Sequence, residues 1–281
     1  NSVAIGNNAL FSQNGTNGNV YNVAIGKNAG FAVTTGVSNT LIGALAGDAI
    51  TTGNNNIAIG YQALTTNILS DKNVALGNYA LASHTQGSSI DSYNVGVGFE
   101  AGLLLTTGLE NTIIGGAAGD ALTDADFNVA VGTYALTTDT LGSKSTAIGA
   151  AALNKQNFTS ATDSFNTAVG FSAGKEVTTG IYNTLIGGLA GDALTDADNN
   201  VAVGRAALST DTLGSCSVAI GRNALVTQNF SSATDSFNVA VGDRAGAAVT
   251  TGTLNTLIGG LAGDAITTGN SNVAVGYQTL S

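Results

Sequence analysis

The sequence lacks several residue types that most chains of its length contain. Its 281 residues include no Pro, no Met and no Trp, with a single Cys and a single His. One cysteine cannot form an intrachain disulfide. One histidine and isolated acids cannot supply a zinc ligand set, a catalytic triad or repeated acid–base pairs. The inventory predicts that the chain is not an enzyme and carries no cofactor.

Charge is also scarce, and this argues against two classes of partner. Charged residues make up 9% of the chain, the net charge is −10, and the 8 basic residues are scattered singly. Nucleic acid binding needs clustered Lys and Arg, so none is expected. No apolar run approaches the ~20 residues of a membrane span, so no membrane insertion is expected. The apolar fraction of 43% nevertheless excludes a disordered chain.

What the chain has in place of these residues is one pentapeptide, repeated sixteen times. It opens as NSVAIG at Asn1–Gly6 and returns as NTLIG, NIAIG and NVAVG. From Gly26 onward its closing Gly recurs in three steps of 17 residues and one of 21, which gives a block of 72. We therefore predict a single repeat domain, 1–281, with blocks at 1–21 (partial), 22–93, 94–165, 166–237 and 238–281 (partial). Since the last block breaks off at Ser281, we expect a segment of a longer protein.

The repeat predicts an all-β fold. Val, Ile and Thr between Asn and Gly favour a short strand, whereas 17 residues are too few for the helical repeats. We expect a parallel β-solenoid or β-roll of about sixteen coils of 17–21 residues. A second short strand is expected at the Ala three residues past each Gly, as in Ala63–Leu64. The Asn that opens most repeats predicts either a ladder between coils or a turn cap.

The middle residue of the pentapeptide predicts association of several chains. It is never polar, and the two residues flanking it are apolar or Thr, so the strand has no polar face. We assign the flanking residues to the coil core and the middle residue to a homotrimer interface. The residue after the Gly is small where the middle residue is large, as with Leu41 and Ala44, which indicates close packing. The predicted interface residues are Ala24, Leu41, Ala58, Ile113, Ala130, Leu185, Ala202, Leu257 and Ala274.

The motif NSVAIG, with its relatives NVAIG and SVAIG, resembles the head repeat of trimeric autotransporter adhesins, and the resemblance covers all sixteen repeats. Similar repeats occur in phage tail fibres. The resemblance implies a left-handed parallel β-roll of three identical chains. It also implies a location outside the cell, on a cell surface or a virion.

Two sets of residues are candidate sites. The motif D-x-D-x-N, the beginning of a calcium loop, makes Asp124, Asp126, Asp196 and Asp198 weak calcium candidates, although the Gly and Glu of that loop are missing. The 21-residue repeats add four residues each, and loops of this kind often carry function. Their aromatic residues, Tyr93, Phe158, Phe165, Phe230 and Phe237, are candidates for contact with host-surface glycans or matrix proteins, or for capping the hydrophobic edge.

These observations predict a structural and adhesive segment of an extracellular trimeric fibre, either a bacterial adhesin head or a phage tail-fibre shaft. The alternative is a monomeric or dimeric β-solenoid that acts as a filament subunit or a ligand-binding scaffold.

Overall fold

Each pentapeptide forms a three-residue β-strand, because its β-branched residues favour extended backbone and the Gly after them allows the chain to turn. A computed structural model describes residues 1–14 and 18–281. Over these residues the chain is a parallel β-solenoid of about sixteen turns, without a helix. The predicted all-β solenoid is confirmed. The homotrimer stays a prediction.

The coils group into two compact units, Asn1–Ser143 and Lys144–Ser281. The first unit contains β1 (Val3–Ile5), β2 (Val23–Ile25), β3 (Thr40–Ile42), β4 (Ile57–Ile59), β5 (Val74–Leu76), β6 (Val95–Val97), β7 (Thr112–Ile114), β8 (Val129–Val131) and β9 (Gly142–Ser143). The second contains β10 (Thr146–Ile148), β11 (Thr162–Asp163), β12 (Thr167–Val169), β13 (Thr184–Ile186), β14 (Val201–Val203), β15 (Gly214–Ser215), β16 (Val218–Ile220), β17 (Thr234–Asp235), β18 (Val239–Val241), β19 (Thr256–Ile258) and β20 (Val273–Val275).

Within each unit the three-residue strands pair in parallel and in register. Leu41 is paired with Ala24 on one side and with Ala58 on the other, and Leu185 with Ala202 in the second unit. Residues at the same position of the repeat therefore stack into columns along each unit.

The opening Asn forms a buried ladder, one of the two roles predicted for it. The backbone N–H of Asn39 donates to Asn22 Oδ1 at 2.8 Å, and that of Asn56 donates to Asn39 Oδ1 at 3.0 Å. Asn39 Nδ2 donates to the carbonyl of Gly53, fourteen residues on in the same coil, at 2.8 Å. Each amide thus fixes the register of the next coil and closes its own.

The middle residue of each strand points into the coil, so the assignment of these residues to a trimer interface is wrong. Eight of the predicted interface residues are fully buried within the single chain and Ala274 is 2% exposed; the eight are Ala24, Leu41, Ala58, Ile113, Ala130, Leu185, Ala202 and Leu257. Strand side chains alternate, and the middle residue lies on the same side as the buried Asn two positions before it. The flanking residues, assigned to the core, face outward instead; Ile186 is 39% exposed.

The predicted second strand is also wrong, because overlapping turns occupy its place. The N–H of Ala29 donates to the carbonyl of Gly26 at 3.3 Å, and the N–H of Phe31 donates to that of Asn28 at 3.2 Å. Asn28 and Gly30 have φ values of 58° and 59°, as the third position of such turns requires. The Ala of this segment is nevertheless buried in the coil, so its predicted place in the core holds.

Large and small residues exchange places across the core. Where the middle residue is Leu185, the residue six positions later is Gly191, and a Cβ there would lie 2.7 Å from Leu185 Cδ2. Where the middle residue is Ala202, the position six later holds the buried Leu208. Where both positions are small, as at Ala168 and Gly174, leucines of the neighbouring coils fill the space, and a Cβ on Gly174 would lie 2.6 Å from Leu185 Cδ1. The close packing expected of an interior is therefore achieved between coils as well as within one. The volume compensation seen in the sequence is real, but its partner is this inner Gly and not the residue after the strand.

Two adjacent leucines provide a test of this core. Leu105 is fully buried and Leu104 is 47% exposed. We expect Leu105→Ala to lower the free energy of unfolding by about 2–5 kcal/mol, because it leaves a cavity that the coils on both sides cannot fill. Leu104→Ala is the matched control, with an expected change within about 0.5 kcal/mol. Urea unfolding followed by circular dichroism measures both, and equal losses would contradict the core assignment.

Candidate functional site

The outward side of the long sheet is apolar in both units. We call sheet face the two columns formed by the first and third residues of every three-residue strand. Only Val, Ile, Leu and Thr occupy these positions, and no charged residue occurs among them. Exposed examples are Leu76, Ile114, Ile220 and Ile258. Contiguous exposed apolar surface on a folded chain marks a place of interaction.

Two further columns border the sheet face. We call pre-Asn column the residue before each opening Asn or Ser, and post-Gly column the residue after each closing Gly. The pre-Asn column includes exposed Tyr21 and Phe127, and the post-Gly column includes exposed Phe99 and Phe171. Every large residue of both columns is exposed except Cys216, which is half-buried. The aromatic residues widen the apolar surface on both sides.

Sequence reasoning missed this surface because both sides of the strand are apolar. A rule based on alternation between polar and apolar residues cannot choose between them. One signal is present in the opening Asn, which lies in phase with the middle residue and for which the sequence predicts either a ladder or a turn cap. A buried, fully bonded Asn identifies the inner side of the strand.

The long coils place an acid, a base and an aromatic ring at the pre-Asn edge. Lys72 Nζ donates to Asp91 Oδ2 at 2.6 Å and to the Tyr93 hydroxyl at 2.9 Å. These side chains are exposed, and the hydrogen bond from Lys72 lowers the pKa of Asp91. The third block has Cys216 in place of the lysine, with its Sγ 3.8 Å from Asp235 Oδ1.

The second block repeats this arrangement around Phe165. Lys144 Nζ lies 2.5 Å from Asp163 Oδ2 and 5.2 Å from the centroid of the Phe165 ring. Tyr182 stacks on the same ring with centroids 5.7 Å apart and an interplanar angle of 10°. A sugar stacks on an open ring face, and these contacts occupy the faces of Phe165. Phe165 therefore fits an edge of the sheet face better than a glycan platform.

The predicted loop aromatics divide into two groups. Phe158 and Phe230 are buried, and a Cβ added at Gly214 would lie 2.7 Å from the Phe230 ring. Tyr93, Phe165 and Phe237 are exposed in the pre-Asn column. The structure thus brings none of the five together in a pocket-like site.

The weak calcium candidates accept hydrogen bonds from the preceding coil. Thr107 Oγ1 donates to Asp124 Oδ1 at 2.6 Å, and the N–H of Leu109 donates to Asp126 Oδ1 at 2.8 Å. Asp196 and Asp198 receive equivalent bonds from Thr179 and Ile181. Over residues 1–14 and 18–281, no three His, Cys, Asp or Glu residues are grouped so that they could hold a metal ion.

The long coils replace the opening Asn by a buried polar network. Gln228 Nε2 donates to Ser217 Oγ at 2.8 Å and to Asp211 Oδ2 at 2.6 Å. Gln228 Oε1 accepts from Asn238 Nδ2 at 2.8 Å, and the hydroxyls of Ser217 and Ser236 lie 2.6 Å apart. Ser is too short to span the coil, and the Gln eleven residues later supplies the missing amide.

The first block departs from this pattern at His84, which occupies the position that Gln228 has in the third block. His84 is fully buried, and neither ring nitrogen has a hydrogen-bond partner. Asn73 opens this coil in place of Ser, and the hydroxyl of buried Ser92 is also unpaired. Burial lowers the pKa of His84 to about 4, with a smaller opposing effect from the backbone of Thr106.

This depressed pKa predicts a pH dependence of stability. Because the unfolded chain binds the proton with a pKa near 6.5, the stabilisation is complete above that pH and is lost as the pH falls toward 4. The loss amounts to roughly 3 kcal/mol at the pKa shift involved. Thermal melting of the wild type and of Asn73→Ser/His84→Gln, which copies the Ser and Gln of the other blocks, measures it. We expect the double variant to be the less sensitive between pH 7 and 4.5; parallel curves would contradict the assignment.

Among the residues that the structure describes, none form a helix long and apolar enough to cross a membrane. No protein-family model matches the sequence, and no curated protein matches it either. The function is therefore inferred from the repeat, the fold and the surfaces of the coil.

Proposed function

We propose that the chain is a structural and adhesive segment of an extracellular homotrimeric fibre, on a bacterial surface or a phage tail. The observation that carries the proposal is the sheet face, which holds only Val, Ile, Leu and Thr and is exposed or half-buried in every coil of both units. A solenoid repeats its surface in each coil, so a partner copy can cover this face along its whole length. The resemblance of NSVAIG to adhesin head repeats supports the same conclusion.

The size of the face fits a stable contact. At about 4.8 Å per coil and about 3.3 Å per residue, a strip seven residues wide covers roughly 100 Å² per coil. Eight coils then offer roughly 800 Å², the area that each partner buries in a standard interface. Leaving such a strip in water would favour uncontrolled association.

One observation favours the alternative, a monomeric or dimeric solenoid that serves as a filament subunit or a scaffold. The core is complete within one chain, because the middle residues are buried without a partner. Folding of the coil therefore does not require three chains. The two functions differ in solution mass.

Sedimentation equilibrium distinguishes them. We expect three times the chain mass of 27.6 kDa. Val203→Asp, on the sheet face, should reduce the mass to that of one chain because it would bury an unpaired charge at the contact. Val226→Asp, a half-buried valine in the turn segment outside the sheet face, is the matched control and should remain trimeric. A wild type with the mass of a single chain would refute the fibre proposal.

The adhesive role concerns the outer tips of the long coils. Thr159 and Ser160, and their equivalents Ser231 and Ser232, are exposed there and lie outside the sheet face. They belong to the polar surface that remains open once the sheet face is covered. We expect binding on an array of glycans and matrix proteins to weaken in Ser231→Ala/Ser232→Ala with the mass unchanged. Equal binding by the variant would place adhesion elsewhere.

A further inference from the structure

We propose that Asn157 and Asn229 are acceptor sites for N-linked glycosylation at the outer tips of the long coils. Each begins an Asn-x-Ser/Thr sequence, NFT at 157–159 and NFS at 229–231, and this sequence is the acceptor signal for the modification. The proposal rests on the proposed function in one respect, since such glycans belong on surface loops of exported chains.

The chain is rich in Asn, but the acceptor signal is confined to lengthened repeats. The opening Asn of each repeat is followed two positions later by the middle residue of the strand, which is never Ser or Thr. The one further signal in the sequence begins at Asn14, in a repeat with a 20-residue step, and its Thr16 lies outside the described residues. The structural evidence therefore comes from the two signals of the second unit.

The local backbone displays both groups that define the signal. Asn229 and Ser231 are exposed, whereas Phe230 between them is buried. The same exposed–buried–exposed pattern holds at 157–159. Side chains of extended backbone alternate in direction, so the ring anchors the tip to the core while the amide and the hydroxyl face solvent on one side. An enzyme that recognises amide and hydroxyl together finds both accessible.

The fold does not use the reacting atoms of the NFS signal. Within residues 1–14 and 18–281, the one side-chain hydrogen bond of Asn229 is accepted by Oδ1 from Thr212 Oγ1, at 3.0 Å, and the Ser231 hydroxyl makes none. Asn229 lies in a backbone ladder that is formed mostly by Thr. There Thr195 Oγ1 donates to the carbonyl of Thr212 at 3.0 Å. The ladder therefore does not require an amide side chain, and Nδ2 of Asn229 is available for modification.

The reaction is a glycosyl transfer to this nitrogen. The donor is a sugar whose C1 is bound to a diphosphate, carried by a nucleotide or a lipid. A bond forms between C1 and Nδ2, the bond between C1 and the diphosphate oxygen breaks with its electron pair on that oxygen, and one amide proton passes to a base of the transferase. The product keeps one N–H and the Oδ1 acceptor, so the bond from Thr212 survives modification.

The two acceptors are placed where a glycan does not obstruct the proposed contact between chains. Neither belongs to the sheet face, the pre-Asn column or the post-Gly column. Four coils of the second unit separate them, which is roughly 19 Å at about 4.8 Å per coil. The glycans would form a row along the open side of the unit.

The experiment supplies each donor class to the chain. Folded chain from a host without N-glycosylation is incubated with UDP-glucose and a soluble N-glucosyltransferase, and a second sample is secreted from yeast, where the donor is lipid-linked. Tryptic cleavage after Lys155 and Arg222 places the two acceptors in separate peptides. We expect mass spectrometry to find a glycan on Asn157 and on Asn229. Modification with either donor supports the proposal, and comparison of the two samples identifies the donor class.

Matched variants of the exposed Ser231 test whether the signal is read. Ser231→Ala should lose the glycan on Asn229 and keep the one on Asn157, because only the first signal is broken. Ser231→Thr preserves the signal and should be modified at both sites. Transfer to Asn229 in Ser231→Ala would contradict the proposal.

The long coil of the first block provides a gain-of-function test. Thr85 holds the corresponding place in the backbone ladder, and the residue two positions later is Gly87. A Cβ added at Gly87 meets no heavy atom within 4 Å. Thr85→Asn/Gly87→Thr should therefore create a third modified site without disturbing the coil. Absence of modification there would show that the tip of a long coil does not make a signal accessible.

A folded chain that stays unmodified at both sites with both donors, while a synthetic peptide of residues 225–235 is modified, would overturn the proposal. Sedimentation and array binding are measured on chain produced without a transferase. A negative result for glycosylation thus leaves the fibre proposal standing. Conversely, the mass of a single chain would refute the fibre, while glycans on Asn157 and Asn229 would still support this proposal.

Discussion

The interaction on which the structure depends is the buried amide of the opening Asn. In water an Asn side chain gains little from a single hydrogen bond, but inside the coil its unpaired groups would be costly. Most of these amides accept from the backbone of the next coil and donate across their own, as Asn183 does to the carbonyl of Ala197 at 2.7 Å. The same side chain therefore fixes the register between coils and closes its own coil. This explains why the position tolerates so little change along 281 residues.

The coils that open with Ser in place of Asn show which hydrogen-bonding groups the opening position requires. Ser145 and Ser217 keep a hydroxyl at the ladder but cannot reach across the coil, and buried Gln156 and Gln228 supply the amide. A change at one position of the repeat thus calls for a second change eleven residues later. His84 is the exception, and it follows Asn73, whose Oδ1 accepts from the backbone N–H of Asn94 at 3.2 Å and so keeps the ladder without a Gln. A buried ring without hydrogen-bond partners is unfavourable. Its cost to the stability of the chain increases as the pH falls and protonation becomes favourable in the unfolded chain.

The fold could be predicted from the sequence because the repeat fixes the coil length and the β-branched residues fix the strand. Which strand side chains point into the coil could not be predicted. Ala24 and Val23 are both apolar, so hydrophobicity does not show which of them is internal. Asn22 is buried and hydrogen-bonded inside the coil, and Ala24 lies on the same side of the strand. The turn segment was missed for a related reason, because Leu in a left-handed conformation, as at Leu64 with φ 53°, has no clear signal in a single sequence.

The inside and the outside of the coil vary in different ways along the chain. Inside, a Leu or Ile side chain lies against each inner Gly, from the same coil or a neighbouring one, since each unit must fill its own core. Outside, the two strand columns hold only Val, Ile, Leu and Thr although nothing within the chain covers them. Folding of the single chain does not require this restriction, because polar side chains on an exposed face would be solvated. The absence of charge from both strand columns is therefore better explained by the proposed contact with a neighbouring copy than by the coil itself.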